Sequence, residues 1–171
     1  MQINNTNNLI SQLGRSTSLP DQSHNYCVFN DGLVKELVSK REDAIPYLST
    51  FLSSTTDEKQ ISEALYVLDR MIDSGVKGID KLYPLISRFN DTNSPNIQVL
   101  LAGIYRKTQV PDAFGPLTKM MLRQTFYPNS PYFDPTEEIG GAILEYLKTK
   151  EAPSAYSKEK TPSLLQYVLN A

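Results

Sequence analysis

The chain has 171 residues, of which 40% are apolar and 21% are charged, and its formal net charge is −2. This length and composition fit one globular domain of ordinary type. They exclude a strongly basic protein that its own field would draw to nucleic acid or to anionic lipid.

The cysteine content and the hydropathy pattern bear on the compartment. The single cysteine, Cys27, excludes a disulfide within the chain and fits a reducing compartment. The N-terminus shows no apolar run of signal-peptide length, and no apolar stretch approaches the roughly 20 residues that cross a bilayer. We therefore expect a cytoplasmic protein with no membrane partner. Leaderless export stays open as an alternative, because residues 1–20 are rich in Asn, Ser and Thr.

The first 30 residues differ from the rest and are predicted to form a flexible polar tail. Residues 1–20 carry one charge, Arg15, and have little apolar surface to offset the entropy of ordering. An alternative is a short docking helix with the apolar residues Ile3, Leu9, Ile10 and Leu13. The predicted boundary separates this tail, residues 1–30, from a helical repeat domain, residues 31–171.

From Asp31 onward, apolar residues recur at the three- and four-residue spacing of helices. The clearest stripe consists of Ile61, Leu65, Leu68 and Ile72, and its two leucines are predicted core residues. Thr55 and Glu58 predict a capping box before this helix, and Gly75 predicts its end. Further helix starts are predicted at Ser94-Pro95, Asp134-Pro135 and Thr161-Pro162. No stretch shows the alternation of a strand, so we predict an all-α chain with about seven or eight helices from residue 31 onward.

Three segments share one pattern: an Asp, an apolar residue two positions later, a nearby proline, and a Leu five positions after the Asp. They are Asp43–Leu48, Asp80–Leu85 and Asp112–Leu117. Their offsets of 37 and 32 residues lie in the range of helical solenoids. One helix pair cannot bury its apolar face alone, so neighbouring pairs are expected to stack.

This pattern resembles the HEAT-repeat family, in the short form seen in phycobilin lyase-like proteins. That form has an Asp-x-apolar-Pro-x-Leu helix, preceded by a helix that opens with a β-branched residue and alanines. The matching pairs are Ile61 with Ala64, Ile97 with Ala102, and Ile139 with Ala142. The resemblance covers about residues 31–150. It implies a right-handed α-α superhelix, a HEAT-like solenoid, of about four helix pairs.

The chain departs from the family where the first helix of each pair opens. The family often has Val-Arg there. This chain has Ile61-Ser62, Ile97-Gln98 and Ile139-Gly140. We therefore expect the ladder of charges that often links neighbouring HEAT repeats to be missing. The repeats also differ in length, and an irregular helical bundle is the alternative architecture.

No residue set in the sequence predicts catalysis, a metal or a cofactor. His24 and Cys27 lie close together, but one His and one Cys fall short of the roughly four ligands that a metal site needs. We interpret them as incidental residues near a helix entrance. Glu137 and Glu138 follow a proline at a predicted helix start, where acidic groups favour the positive end of the helix dipole. The sequence favours a non-enzymatic protein.

The candidate binding residues include three basic side chains on the second helices of the pairs. Residues 76–127 contain seven basic and three acidic residues, a net charge of +4. In a HEAT stack the second helices line the concave face, so Arg88, Lys119 and Arg123 are predicted to face an acidic partner. The alternative is a solvated surface with scattered charges.

An aromatic connection follows the second of these helices. Residues 126–135 contain four aromatic residues and three prolines, and exposed aromatic side chains favour recognition. Tyr127, Tyr132 and Phe133 are therefore predicted binding residues. The alternative is that the aromatic side chains fold back into the core.

These features lead to a predicted protein–protein interaction module or scaffold that binds another protein through its concave helical face. Nucleic-acid binding is an alternative that the near-neutral charge argues against, because phosphate neutralisation supplies much of such affinity. A chromophore-lyase-like role, implied only by the resemblance, and the role of a secreted effector also stay open.

Overall fold

A computed structural model of the chain describes residues 3–15, 29–124 and 135–149. Across these residues the chain is all-helical and contains no strand, so the prediction of an all-α chain is confirmed. The eight α-helices of this part are α1 (Ile3–Ile10), α2 (Asp31–Ser39), α3 (Ile45–Ser54), α4 (Glu58–Asp73), α5 (Tyr83–Ile86), α6 (Pro95–Thr108), α7 (Phe114–Arg123) and α8 (Pro135–Lys148). Within these ranges, none of the helices has the length and apolar character needed to cross a membrane. The helix predicted after Thr161 lies outside the described residues.

From α2 onward the helices form two rows. In one row α4 packs between α2 and α6, and α6 packs between α4 and α8. In the other row α5 packs against α3, and Tyr83 of α5 donates a hydrogen bond of 2.7 Å to the carbonyl of Asp112, just before α7. We call α2, α4, α6 and α8 the first helices and α3, α5 and α7 the second helices.

Several hydrogen bonds between distant segments of the chain span nearly the same number of residues in sequence. Lys77 N donates to Glu42 Oε1, Arg88 Nη1 to the Ser53 carbonyl, and Ser94 Oγ to Glu58 Oε1, at separations of 35, 35 and 36 residues. These separations are close to the offsets between the Asp-led segments. Neighbours in space therefore recur about once per helix pair.

Each Asp-led segment also has the same local structure. Asp43, Asp80 and Asp112 lie in short 3₁₀ helices, and a second helix begins two or three residues after each of them. A proline occupies one of the first three positions of each second helix: Pro46, Pro84 and Pro116. Proline is tolerated there because the first backbone N–H groups of a helix have no partner within the helix.

The helix starts and ends follow local signals, with one correction. Ser94 is the N-cap of α6, as predicted, and Gly75 after α4 has the left-handed φ of +75°. The predicted capping box of α4 is wrong in position. Asp57 is the N-cap, and its carboxylate accepts a hydrogen bond of 2.9 Å from Gln60 N. This aspartate directly precedes the first helical residue, so it competes successfully with Thr55 for the cap.

The core follows the apolar stripe of α4. Leu65 and Leu68 are fully buried, as predicted, and Ile61 is buried one turn before them. On α6 and α8, Tyr105 and Tyr146 are also fully buried, and burial raises the pKa of both phenols. Their hydroxyls therefore stay protonated and donate.

The N-terminal segment differs from the predicted flexible tail. Residues 3–10 form α1, which packs against α2 and α3, and the side chains of Leu9, Ile10 and Leu13 are buried. These three residues belong to the same apolar core as the other helices. The alternative of a docking helix is therefore what the structure shows, because few but well-placed apolar side chains suffice against a preformed surface.

Candidate functional site

The structure places the three predicted basic residues on the second helices or directly after them. Lys119 and Arg123 belong to α7, and Arg88 lies in the short 3₁₀ helix Ser87–Phe89 that continues α5. All three are exposed. The three predicted aromatic binding residues, Tyr127, Tyr132 and Phe133, lie outside the described residues.

Arg88 is engaged with the preceding second helix. Its Nη1 donates a hydrogen bond of 2.9 Å to the carbonyl of Ser53, near the end of α3. Its guanidinium carbon also lies 5.0 Å from the ring centroid of Phe89. Because the last carbonyls of a helix have no partner within the helix, this arginine caps α3 from the neighbouring pair.

Arg123 makes the corresponding contact one pair later. Its Nη2 donates a hydrogen bond of 2.6 Å to the carbonyl of Asn90, and its Nη1 lies 2.7 Å from Asp91 Oδ1. Arg88 and Arg123 are therefore exposed, but the guanidinium groups of both already contact acceptors within the chain. Each is held by carbonyl oxygens of the segment before it, an arrangement that sequence periodicity cannot reveal.

Lys119 is the predicted basic residue whose charge has no partner, since its ammonium group makes no hydrogen bond or ion pair with any other described residue. Three positions later on the same helix, Leu122 has 67% of its surface exposed. It is the only large hydrophobic side chain that is exposed in the described ranges. The sequence analysis did not identify Leu122. Its position outside the apolar stripe of α7 is the signal that could have marked it as exposed.

The second helices carry no carboxylates. α3 and α5 contain no charged residue, and α7 contains Lys119 and Arg123 alone. Asp91, in the connection after Phe89, supplies the acidic group beside Arg123. The carboxylates near this row therefore lie in the connections, at the Asp-led entrances and at Asp91.

The first helices show a different arrangement of charge. Lys107 Nζ on α6 lies 2.7 Å from Asp69 and 2.8 Å from Asp73, both on α4. On the other side of α6, Arg106 lies 2.9 Å from Glu138 of α8. Charged pairs therefore do link neighbouring first helices, contrary to the expectation of a missing ladder. They use the C-terminal halves of α4 and α6 and the first turn of α8, and none of them uses Ser62, Gln98 or Gly140.

Gly103 allows the close approach of these helices. A Cβ at this position would lie 3.3 Å from Asp69 Oδ1 and 3.8 Å from Glu138 Oε1. The carboxylates of α4 and α8 therefore come together across the same turn of α6. The three helices are tied by charge as well as by apolar packing.

Glu63 is a third kind of charged group on α4. Only 2% of its surface is exposed, and its two oxygens accept hydrogen bonds from Gly14 N at 2.5 Å and from Asn30 N at 3.1 Å. Gly14 has a left-handed φ of +75°, and a Cβ there would lie 2.5 Å from Gln60 Cγ. The buried carboxylate thus fixes the end of the α1 segment and the start of α2 on α4.

A polar cleft lies between α1 and the turn from α2 to α3. Its volume is about 620 Å³, and its lining includes Thr6, Lys40, Glu42, Asp43 and Tyr47. Hydrogen bonds from backbone N–H groups, including that of Lys77, lower the pKa of Glu42. Charges of both signs line this cleft, so it lacks the single-sign lining that would select an ion.

Within the described ranges, no group of three or more His, Cys, Asp or Glu side chains could hold a metal ion. The His24 and Cys27 pair lies outside those ranges. Comparison with protein-family models, curated proteins and solved structures finds no match to this chain.

Proposed function

We propose that this chain is a HEAT-like solenoid that serves as a protein–protein interaction module in the cytoplasm. Three observations support the architecture: the two rows of helices, the shared structure of the Asp-led segments, and hydrogen bonds that recur about every 35 residues. In this proposal α8 is the first helix of a fourth pair, and the second helices line the concave face of a right-handed superhelix. A chain with one cysteine needs no oxidising compartment.

The second helices supply the proposed binding face, and the observation that carries this assignment is the exposed Leu122 beside Lys119. A single exposed leucine is ordinary on a protein surface. Here it lies next to a cation that no described residue neutralises, on a row of helices without carboxylates. An apolar anchor with an unpaired charge is the combination that a partner protein can use for both affinity and orientation.

Site-specific photo-crosslinking tests this assignment. A photoreactive amino acid replaces Leu122 in the full chain, and a matched chain carries it at Glu137, which is exposed in the first turn of α8. We expect a discrete crosslinked protein from the Leu122 chain that the Glu137 chain does not give. Lys119→Glu in the Leu122 chain should reduce the yield.

Two results would overturn the proposed face. One is equal capture of the same proteins at both positions, which indicates non-specific proximity. The other is a discrete partner captured from Glu137 and none from Leu122, which would assign binding to the first helices.

A further inference from the structure

We propose that the partner presents an acidic segment with two carboxylates and an apolar side chain beside them, and that Asp91 holds one carboxylate position in the free protein. We call Lys119, Leu122 and Arg123 the α7 patch. This inference deepens the proposed function and rests on it. It adds the chemistry of the partner and an internal group with which the partner competes.

The α7 patch lies on one side of its helix. Lys119 is a neighbour on the helix surface of both Leu122, three residues later, and Arg123, four residues later. Around the helix, Lys119 therefore lies between the exposed leucine and the second cation. A segment that matches this patch carries two acidic residues with an apolar residue beside them.

Arg123 is already oriented to receive a carboxylate. Its Nη2 is held by the main-chain carbonyl of Asn90 at 2.6 Å, which leaves Nη1 for Asp91 Oδ1 at 2.7 Å. The side chain of Asp91 is 89% exposed. A carboxylate from a partner can therefore replace Asp91 at Nη1 while the bond to Asn90 remains.

The exchange is energetically easy, because an ion pair between exposed side chains contributes little to stability. The incoming carboxylate forms with Arg123 an ion pair like the one that Asp91 gives up. The second carboxylate then meets Lys119, which has no competing partner among the described residues, and the apolar side chain covers Leu122. Net affinity comes from these two additional contacts.

The same surface fits a nucleic-acid strand poorly. The α7 patch offers two cations, one of them already paired, and the whole chain has a net charge of −2. Binding to a phosphate backbone depends on several cations that release counterions. An acidic protein segment needs only two well-placed cations and an apolar contact.

The test uses the full chain, labelled with ¹⁵N, and three synthetic peptides of equal length. Peptide A alternates glutamate with leucine, peptide B replaces the leucines by serine, and peptide C replaces the glutamates by lysine. Chemical-shift changes of backbone amides report both the site and the Kd. We expect peptide A to shift amides of residues 119–123, with binding weakened at least roughly tenfold for peptide B and for peptide C.

Three variants separate the patch from general charge. Asp91→Asn removes the internal competitor and should tighten binding of peptide A by roughly threefold or more. Lys119→Glu should weaken it by roughly tenfold. Lys81→Glu makes the same charge change at an exposed position before α5 and should alter the Kd by less than about twofold.

The inference is overturned if Asp91→Asn leaves the Kd unchanged or weakens binding, or if Lys81→Glu and Lys119→Glu have equal effects. Equal binding of peptides A and B also overturns it, since the leucine then contributes nothing. These outcomes leave the crosslinking result at Leu122 untouched. A crosslinked partner whose contacting segment is neutral or basic would preserve the proposed function and reject this chemistry.

Discussion

The two rows of helices differ in their charged groups. The carboxylates that stacking of the first helices partly or fully buries are paired with donors on a neighbouring segment, whereas the second helices contain no carboxylate. Lys107 lies against Asp69 and Asp73, and Arg106 lies against Glu138. On α7, by contrast, Lys119 has no described partner, and Leu122 is exposed.

The difference follows from burial. A carboxylate that leaves water must be paired or hydrogen-bonded, so the tightly packed row of first helices uses its charges for its own stability. The second helices contain no carboxylate, so no such compensation arises there. The exposed Leu122 and the unpaired Lys119 on α7 form the face that we propose for a partner.

The largest expected effect contrasts one leucine from each row. Leu68→Ala on α4 removes a fully buried side chain and should lower the free energy of unfolding by about 2–5 kcal/mol, through lost burial and a residual cavity. Leu122→Ala should change it by less than about 0.5 kcal/mol. Urea denaturation measures both, and comparable losses would show that the second helices are no more open to water than the first.

The next effect tests Glu63, the carboxylate that backbone donors compensate. Glu63→Gln replaces one carboxylate oxygen by an NH₂ group, which then faces a backbone N–H instead of accepting from it. The hydrogen bond to the remaining oxygen also loses its charge. We expect a loss of about 1.5–3 kcal/mol, together with faster hydrogen exchange at Gly14 N and Asn30 N. Glu36→Gln, on the exposed side of α2, is the matched control and should stay within about 0.5 kcal/mol. Unchanged exchange at both amides contradicts this role.

The ion pairs between first helices should contribute somewhat less. Lys107→Met keeps the length of the side chain but leaves Asp69 and Asp73 with Arg70 as their remaining cation. We expect a loss of about 1–2 kcal/mol in urea denaturation. The same substitution on the second helices, Lys119→Met, should cost less than about 0.5 kcal/mol. Equal losses would remove the distinction between the two rows.

Acid denaturation examines the same contact. Burial alone would raise the pKa of Asp73, but the hydrogen bond and charge of Lys107, with Arg70, outweigh it and lower the pKa. Such a group stabilises the fold above its unfolded pKa, about 3.9 for aspartate, and this contribution is lost as the pH falls through the lower folded value. Stability should therefore fall more steeply below about pH 4 in the wild type than in Asp73→Asn. Parallel pH profiles would show that Lys107 does not act on this carboxyl.

The local elements could be predicted from sequence because their signals lie within a few residues. The Ser94-Pro95 start, the Gly75 end and the stripe through Leu65 and Leu68 all appear in the structure. The Asp-led pattern likewise marked the entrances of all three second helices. Capping, turn conformation and helical periodicity depend on neighbouring residues, so one sequence suffices to read them.

The contacts between helices could not be predicted in the same way. The docking of α1 depends on Glu63, which is 49 residues from Gly14 in sequence. The charge ladder depends on the register between α4, α6 and α8, and the carbonyl contacts of Arg88 depend on where α3 ends. The sequence could therefore predict which basic residues lie on or beside the second helices, but the cation without a partner could be identified only from the stacked helices.

The smallest expected effect separates the two cations of α7. Arg123→Ala removes the bonds to the Asn90 carbonyl and to Asp91 and should cost about 0.5–1 kcal/mol, whereas Lys119→Ala should be nearly neutral. Urea denaturation of the two variants measures the difference. A loss at Lys119 as large as that at Arg123 would mean that Lys119 has a structural partner and is not available to a ligand.

A double-mutant cycle then assigns the Arg123 contribution to one of its two acceptors. If the carbonyl of Asn90 dominates, Arg123→Ala should cost nearly the same in the wild type and in Asp91→Asn, because the exposed ion pair adds little. If the ion pair dominates, the cost should nearly vanish in the Asp91→Asn background. The first result is expected, since the Asp91 side chain is almost fully solvated. It would mean that the hydrogen bond from Nη2 to the Asn90 carbonyl keeps Arg123 in place. Nη1 could then exchange Asp91 for another carboxylate without loss of the fold.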